Sequence, residues 1–401
     1  MFERYIARQP IFDQRAKVVA YELLFRASAR NVFEHRENAS SSVIVDSIML
    51  FDLQTLTGAA KAFINADETA LLRGAPKLLP KERIVVEVLE SVSPTPEVVK
   101  ACKELTEAGY ILALDDFLDQ PKWRPLVDLA TYLKIDFRTA DCDARRIMAD
   151  RYRRTHIQLL AEKVETQADL TSARSLGYTL FQGFFFAKPV VMEGREIPAN
   201  KLVYVRLLEA ISTPELSGEK IESVLKEEPS LIYKLLRYLN SPLLALRAEI
   251  HQIREAIQLL GETEFRRWVS IVAVVAMSSD KPHELIRTAL TRAYYCEEIS
   301  KHVRMAAKSS DLFLMGLLSV TDAMLDRPLQ EILSNLPVSA DVRVALCGGS
   351  NDFREVFTTM LAYERGDWPA LSAAAGRLNC PEDKIPPCYL AAVERAKAIA
   401  A

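Results

Sequence analysis

Six oxygen-donor side chains of one chemical kind stand in or at the ends of short apolar runs in the first half of the chain. Glu22 lies within Val18–Phe25, Asn65 closes a run from Ala62, and Glu87 lies within Ile84–Glu90. Asp115 and Asp116 follow Ile111–Leu114, and Glu162 ends a run that begins at Ile157. Such hard oxygen donors suit magnesium, manganese or calcium better than zinc. Carboxylates gathered on one rim would repel and raise one another's pKa. Two divalent ions roughly 3.5–4 Å apart would relieve that, and such pairs clamp the attacking and leaving oxygens of phosphodiester hydrolysis. Lys134, in the run Ala130–Phe137 with Asp136, could hold the attacking water, or could simply pair with Asp136 or Asp116. Glu162 or Glu165 could accept the proton.

These residues work together only if the fold brings the run ends to one place. The stretch Ile111-Leu-Ala-Leu-Asp-Asp-Phe117 shows how. A continuous apolar run suits a parallel strand covered on both faces, and ligands gather at the C-terminal ends of such strands. Strand alternation sends Asp115 and Asp116 to opposite faces, so both reach one site only if the chain turns there. An acidic doublet by itself is a solvated pair, as Glu227-Glu228 and Glu297-Glu298 are expected to be on helices.

Residues 1–190 alternate apolar runs with helical stretches, the pattern of βα units. Tyr5–Phe12 and Val18–Phe25 read as paired strands around a turn at Asp13-Gln14-Arg15, followed by a helix over Ser40–Leu53. Further strands are expected at Ala62–Asp67, Ile84–Glu90, Tyr110–Phe117, Ala130–Phe137, Ile157–Glu165 and Tyr178–Pro189, the last holding Gln182. Helices at Pro96–Ala108 and Gln167–Leu176 stop at Gly109 and Gly177, a frequent C-terminal signal. Eight such strands closed into a barrel would carry the polar ends to one face.

The 401 residues, 49% hydrophobic and 26% charged, suit a soluble globular chain of two or three domains. A net charge of −3 gives no general attraction to nucleic acid or anionic lipid. The N-terminus has no signal-peptide core, and the apolar run Trp268–Met277 is far shorter than a membrane span. Six scattered cysteines without Cys-x-x-Cys spacing point to free thiols, and the chain is expected in the cytoplasm.

Val190–Lys201, with Gly194 and Pro198, is the expected linker, dividing the chain into 1–195 and 200–401. Beyond it the periodicity is helical. Leu231, Leu235 and Leu239 share a face, and Ile253, Ile257 and Leu260 repeat the pattern up to Gly261. Helices follow around Trp268–Met277, Ile286–His302 and Leu312–Leu325, which makes this half all-α. It holds His251, His283 and His302 without ligand spacing, and the sequence has no His-Asp doublet.

The first half resembles the EAL domain of cyclic di-GMP phosphodiesterases across roughly residues 3–195. Glu22-Leu23-Leu24-Phe25-Arg26 is similar to Glu-Ala-Leu-x-Arg, and Gln9-Pro10-Ile11 to an upstream Gln-Pro-Ile. Asn65 stands where the family has a ligand Asn, and Glu87 with Glu90 is similar to Glu-x-x-Glu. Asp115-Asp116-Phe117, Lys134-Ile135-Asp136 and Gln182-Gly183 match in order, and Glu162-Lys163-Val164-Glu165-Thr166 resembles Glu-Gly-Val-Glu-Thr. The resemblance implies a modified TIM (β/α)8 barrel that cleaves cyclic di-GMP to the linear dinucleotide with two magnesium or manganese ions. It implies Glu22, Asn65, Glu87 and Asp115 on one ion, with Asp115 and Asp116 on the second. Lys134 would position water, Glu162 would be the base with Glu165 beside it, and Gln9, Arg26 and Gln182 would meet the nucleotide. Glu90 and Asp136 would support the loops.

The second half resembles the HDOD domain over about residues 200–395, through Ser230–Pro242, Ile253–Gly261 and Phe313–Ser319. That implies an all-α module for protein contacts, related to metal phosphohydrolases but without their ligands. One departure lies in the first half. Where the family carries a glycine-rich loop after Asp-Asp-Phe, this chain has Leu118-Asp-Gln-Pro-Lys-Trp-Arg-Pro125. Two prolines and a tryptophan stiffen it. The alternative this leaves open is a barrel that binds cyclic di-GMP as a receptor or scaffold and hydrolyses it poorly. The partner of the helical half and the oligomeric state, a homodimer included, stay open.

Overall fold

The computed structural model describes residues 5–26, 53–187, 199–213, the positions 216, 218, 221, 223 and 224, and 253–400. The helix expected over Ser40–Leu53 and the Leu231–Leu239 pattern therefore fall mainly outside the described residues, as do Glu227-Glu228 and His251. The chain divides into two compact units: residues 1–186 with 362–369, and residues 187–361 with 370–401.

Eight strands close a barrel in sequence order. They are β1 (Tyr5–Asp13), β2 (Val18–Arg26), β3 (Lys61–Ala66), β4 (Ile84–Val88), β5 (Ile111–Leu114), β6 (Tyr132–Asp136), β7 (Gln158–Glu162) and β8 (Leu180–Gln182). From β2 to β8 neighbours run parallel, whereas β1 is antiparallel to both β2 and β8. The reversal arises at the turn after Asp13, whose Oδ1 accepts from the amides of Arg15 at 2.8 Å and Lys17 at 2.9 Å. Strands β4 to β8 are shorter than the expected runs, because the polar residues beyond each strand end leave the ladder and turn into loops.

The interior explains why the polar ends converge. Ile11, Ala20, Phe63, Val85, Ala113, Leu160 and Leu180 form one buried apolar layer, with Tyr132 packed against it. Residues two apart on a strand share a face. One step beyond the layer, Glu22, Asn65, Glu87, Asp115, Lys134, Glu162 and Gln182 must therefore face the same interior. On the reversed β1, the equivalent step from Ile11 leads back to Gln9. The site is the layer above the core.

Gly183 is required where β8 ends. Its φ is +141°, and an added Cβ would lie 2.1 Å from the Val164 carbonyl oxygen. Val164 N donates to the Gln182 carbonyl at 2.9 Å, so neither backbone can retreat without losing the β7–β8 closure.

The second unit is helical, including Ala199–Ile211, His283–Ser300, Ser309–Leu318, Thr321–Leu325 and Ile385–Ala400. Gly261, at φ 76° and ψ 160°, breaks Ile253–Met277 into two helices, as the sequence pattern predicts. The run Leu312–Leu325 is two helices, not one, parted after Leu318. Glu297-Glu298 corrects another expectation: Glu297 is buried, paired with Arg267 and with Arg395 Nη1 at 2.9 Å, while Glu298 holds Lys301. A carboxylate inside a helix pair is tolerated when two guanidinium groups meet it. All six cysteines are free. Among the described residues, no helix is long and apolar enough to cross a membrane.

Gly183→Ala should destabilise the barrel by about 3 kcal/mol or more, since a rigid backbone clash adds to an unfavourable φ. Gly58→Ala, at φ +61° with open space around it, should cost about 1 kcal/mol. Denaturant unfolding of the two variants measures the contrast, and equal losses would refute the close-approach argument.

Candidate metal centre

Lys134 is the hub of the barrel mouth. Its side chain is 1% exposed, and its ammonium meets carboxylates from four other strands or strand ends. Nζ lies 3.3 Å from Glu22 Oε2, 3.0 Å from Asp115 Oδ1 and 2.7 Å from Glu162 Oε1, and it also pairs with Glu87. Lys134 thus pairs with neither Asp136 nor Asp116, the partners that sequence proximity suggests. Burial opposes its charge, but the four carboxylates outweigh burial and hold its pKa well above the ordinary lysine value.

One ammonium cannot balance four carboxylates, so protons redistribute among them. Burial, together with Glu22 and Asp115, pushes Glu87 well above the usual carboxylate range against the pull of Lys134. Burial would raise Asp115 too, but Lys134 and hydrogen bonds to Glu87 and Lys134 prevail and hold it low. Burial is also the main cause that pushes Glu162 up to about 8, with Asp115 and Glu22 adding to it.

Asp115 and Asp116 do reach one site, because the chain turns between them. Asp116 adopts φ +38°, in the left-handed region. Asp115 N still donates to Val88 O at 3.0 Å and Phe117 N to Lys134 O at 2.9 Å, so the kink is pinned by ladder bonds on either side. Carboxylate oxygens of Asp115, Asp116 and Glu162 then lie within 4.8 Å of one another, as do those of Glu22, Glu87 and Glu162. Burial first, and then Asp115, raise the Asp116 pKa.

Gln182 Nε2 donates to Glu22 Oε2 at 2.5 Å and to Gln9 Oε1 at 3.1 Å, which ties β8, β2 and β1 together at the mouth. Arg26 ends β2, but its side chain is outside the described residues. Glu165 points elsewhere: it pairs with Arg138, whereas Glu162 is buried against Lys134. Glu90 is exposed and acts on Asp116 only through its charge. Asp136 is buried, and its Oδ1 accepts from the amides of Arg138 at 2.7 Å and Thr139 at 3.4 Å, fixing the turn after β6. Residue roles based on sequence alone miss Lys163, whose Nζ is 2.5 Å from Asp136 Oδ2 and 3.8 Å from Asp116 Oδ1. They also miss Arg138; both are basic side chains at the ends of apolar runs, where oxygen donors marked the candidate site.

The stiff run after Phe117 is anchored. Asp119 pairs with Arg151 and accepts from Tyr152 Oη at 3.3 Å, and Trp123 is buried in the short turn Pro121–Trp123.

The donors fit a divalent metal. Asn65 Oδ1 and Asp116 Oδ1 are buried acceptors that receive no hydrogen bond, a costly state unless a cation completes them. Carboxylates beyond those that Lys134 can balance, all with hard oxygen atoms, supply the remainder. No cluster of three acidic, histidine or cysteine donors occurs elsewhere among the described residues.

Comparison with known proteins finds two family models that match successive parts of the chain. A model of the EAL domain matches residues 3–189, and one of the HDOD domain matches residues 197–336. A protein of Vibrio cholerae serotype O1 named cyclic di-GMP phosphodiesterase CdgJ is 33% identical over 92% of this chain and 86% of its own. The uncharacterized protein YuxH of Bacillus subtilis is 32% identical over 97% of both chains. Among solved structures, a standalone EAL protein of Vibrio cholerae O395 with cyclic di-GMP bound is 26% identical, with a TM-score of 0.38. It covers 47% of this chain and 92% of its own.

The raised carboxyls make the barrel pH-sensitive. Glu162 titrates near 8 when folded and near its ordinary 4.5 when unfolded. The folded chain therefore holds a proton that the unfolded chain releases, so that stability is present below the lower value and lost as pH rises through the upper one. The melting temperature of metal-free protein should fall between about pH 5 and about pH 8. Manganese should restore it more at the high end, because a cation binds the carboxylate form. Glu162→Gln should flatten the pH dependence. Melting curves that ignore pH in the wild type would refute the assignment.

Proposed function

We infer the function from one premise: the chain belongs to the family of proteins that join an EAL domain to an HDOD domain. On that premise it acts in cyclic di-GMP signalling, and we propose that the barrel hydrolyses cyclic di-GMP to the linear dinucleotide. The observation that carries this reading is the buried ammonium of Lys134 ringed by Glu22, Glu87, Asp115 and Glu162, with Asn65 Oδ1 and Asp116 Oδ1 receiving no hydrogen bond. Such an arrangement is too acidic to be only structural and is built from the donors that hold magnesium or manganese.

In this reading Glu22, Asn65, Glu87 and Asp115 hold one ion, and Asp115 with Asp116 holds a second. Bound divalent ions supply charge neutralisation at the phosphate and a more acidic water. The residues of the chain do the rest. Glu162, in the carboxylate form that bound cations would favour, accepts the proton of the attacking water as its oxygen bonds to phosphorus and one P–O ester bond breaks. The leaving sugar oxygen takes up a proton. Lys134 orients the carboxylates and the water, and offsets negative charge on the phosphate. Gln9, Gln182 and Arg26 meet the nucleotide at the mouth. Glu165, held on Arg138, orients the turn that follows Glu162, while Glu90 and Asp136 support the neighbouring loops.

The division at 190–201 belongs to the same proposal. The barrel would read or remove the nucleotide, and the helical half would contact a protein partner in the cytoplasm.

Glu162→Gln should keep cyclic di-GMP binding while lowering hydrolysis by about a hundredfold or more, since it removes the proton acceptor and preserves shape. Chromatography of products with magnesium or manganese, alongside equilibrium binding, reads both quantities. Wild-type protein that binds the nucleotide yet yields no linear product with either metal would replace the enzyme with a receptor.

A further inference from the structure

Lys163 is out of place by two independent observations. It follows β7 directly, in the left-handed region at φ +54°, where a residue with a Cβ is strained and glycine is not. Its side chain, half-exposed at 49%, nevertheless leans inward across the rim. Nζ lies 2.5 Å from Asp136 Oδ2 and 3.8 Å from Asp116 Oδ1. Asp116 is itself left-handed, at φ +38°. Two kinked strand ends therefore face each other, one acidic and one basic. Lys134 touches the other carboxylates of the centre but not Asp116. The two lysines thus divide the acidic mouth between them.

We propose that Lys163 is a positioning residue that acts as a built-in cation on the Asp116 side of the metal centre, so that this chain holds one divalent ion well and a second only weakly. The inference rests on the metal-centre reading above. It follows from charge placement: a second ion bound by Asp115 and Asp116 must approach within repulsive range of an ammonium already beside Asp116. That ammonium is tethered by Asp136, whose own Oδ1 is engaged by two backbone amides. Lys163 can yield, because its outer half is solvated. It therefore weakens the second ion without forbidding it.

A purely structural Lys163, serving only to brace Asp136, predicts something different. Its removal would change stability or affect every ion alike. Manganese binding to the full chain separates the cases, with free manganese counted by electron paramagnetic resonance and no nucleotide present. Wild type is expected to show one tight ion and one weak ion. Lys163→Met, which keeps bulk, and Lys163→Gly, which also relieves the backbone, should each tighten the second ion about fivefold and leave the first unchanged. Lys163→Arg should keep the second ion weak. Adding Asp116→Asn to Lys163→Met should abolish the gain.

Unchanged affinities in both the Met and Gly variants, or an equal change in both ions, would overturn the role of Lys163 while leaving the metal centre standing. Wild-type protein that binds no manganese would overturn both.

Discussion

The buried ammonium of Lys134 is the interaction on which the barrel mouth depends. A lysine taken out of water is costly, and so is each carboxylate brought in beside it; only together are they tolerated. Lys134 meets Glu22, Glu87, Asp115 and Glu162 from four different strands or strand ends, so one side chain sets the spacing of the whole rim. Removal of any one carboxylate alters the protonation of the rest. Removal of the lysine leaves a pocket of uncompensated negative charge. The surplus over one positive charge is what makes the mouth receptive to cations.

Beneath that ring the barrel is an ordinary hydrophobic interior. The apolar layer from Ile11 to Leu180 contributes packing, and the next inward step on each strand contributes chemistry. Two exceptions to regular strand geometry complete the site. Asp116 and Lys163 both adopt the left-handed conformation, and each kink returns the chain to a ladder hydrogen bond within one residue. Strain of this kind persists where the surrounding structure over-determines it, and it gathers at functional sites. Here it turns Asp116 toward its neighbour and brings Lys163 across the rim to meet it.

The helical unit handles charge differently. Glu297 is buried, yet Arg267 and Arg395 balance it, and Arg395 also lies 3.9 Å over the Tyr294 ring. The described histidines, His283 and His302, enter no cluster of potential ligands.

Much of the protein was legible in its sequence, because the signals were local. Apolar runs ending in acids marked the strands, and strand periodicity placed Glu22, Asn65, Glu87, Asp115, Lys134, Glu162 and Gln182 on one face. Gly261 marked a helix end, and ordered motifs marked the family. What required tertiary structure was partnership. Lys134 lies two residues from Asp136 but binds carboxylates 19 to 112 positions away, because barrel closure sets distance and chain order does not. Glu297 looked like a surface acid until two arginines from other helices buried it. Glu165 looked equivalent to Glu162 until the turn after β7 sent one outward to Arg138 and the other inward to Lys134. Lys163 showed in the sequence only as a departure from the Glu-Gly-Val-Glu-Thr pattern, since a positive φ and a neighbour on another strand leave no mark in composition or periodicity. Local interactions determine which elements form and which faces they bury; only closure of the barrel decides which charges meet.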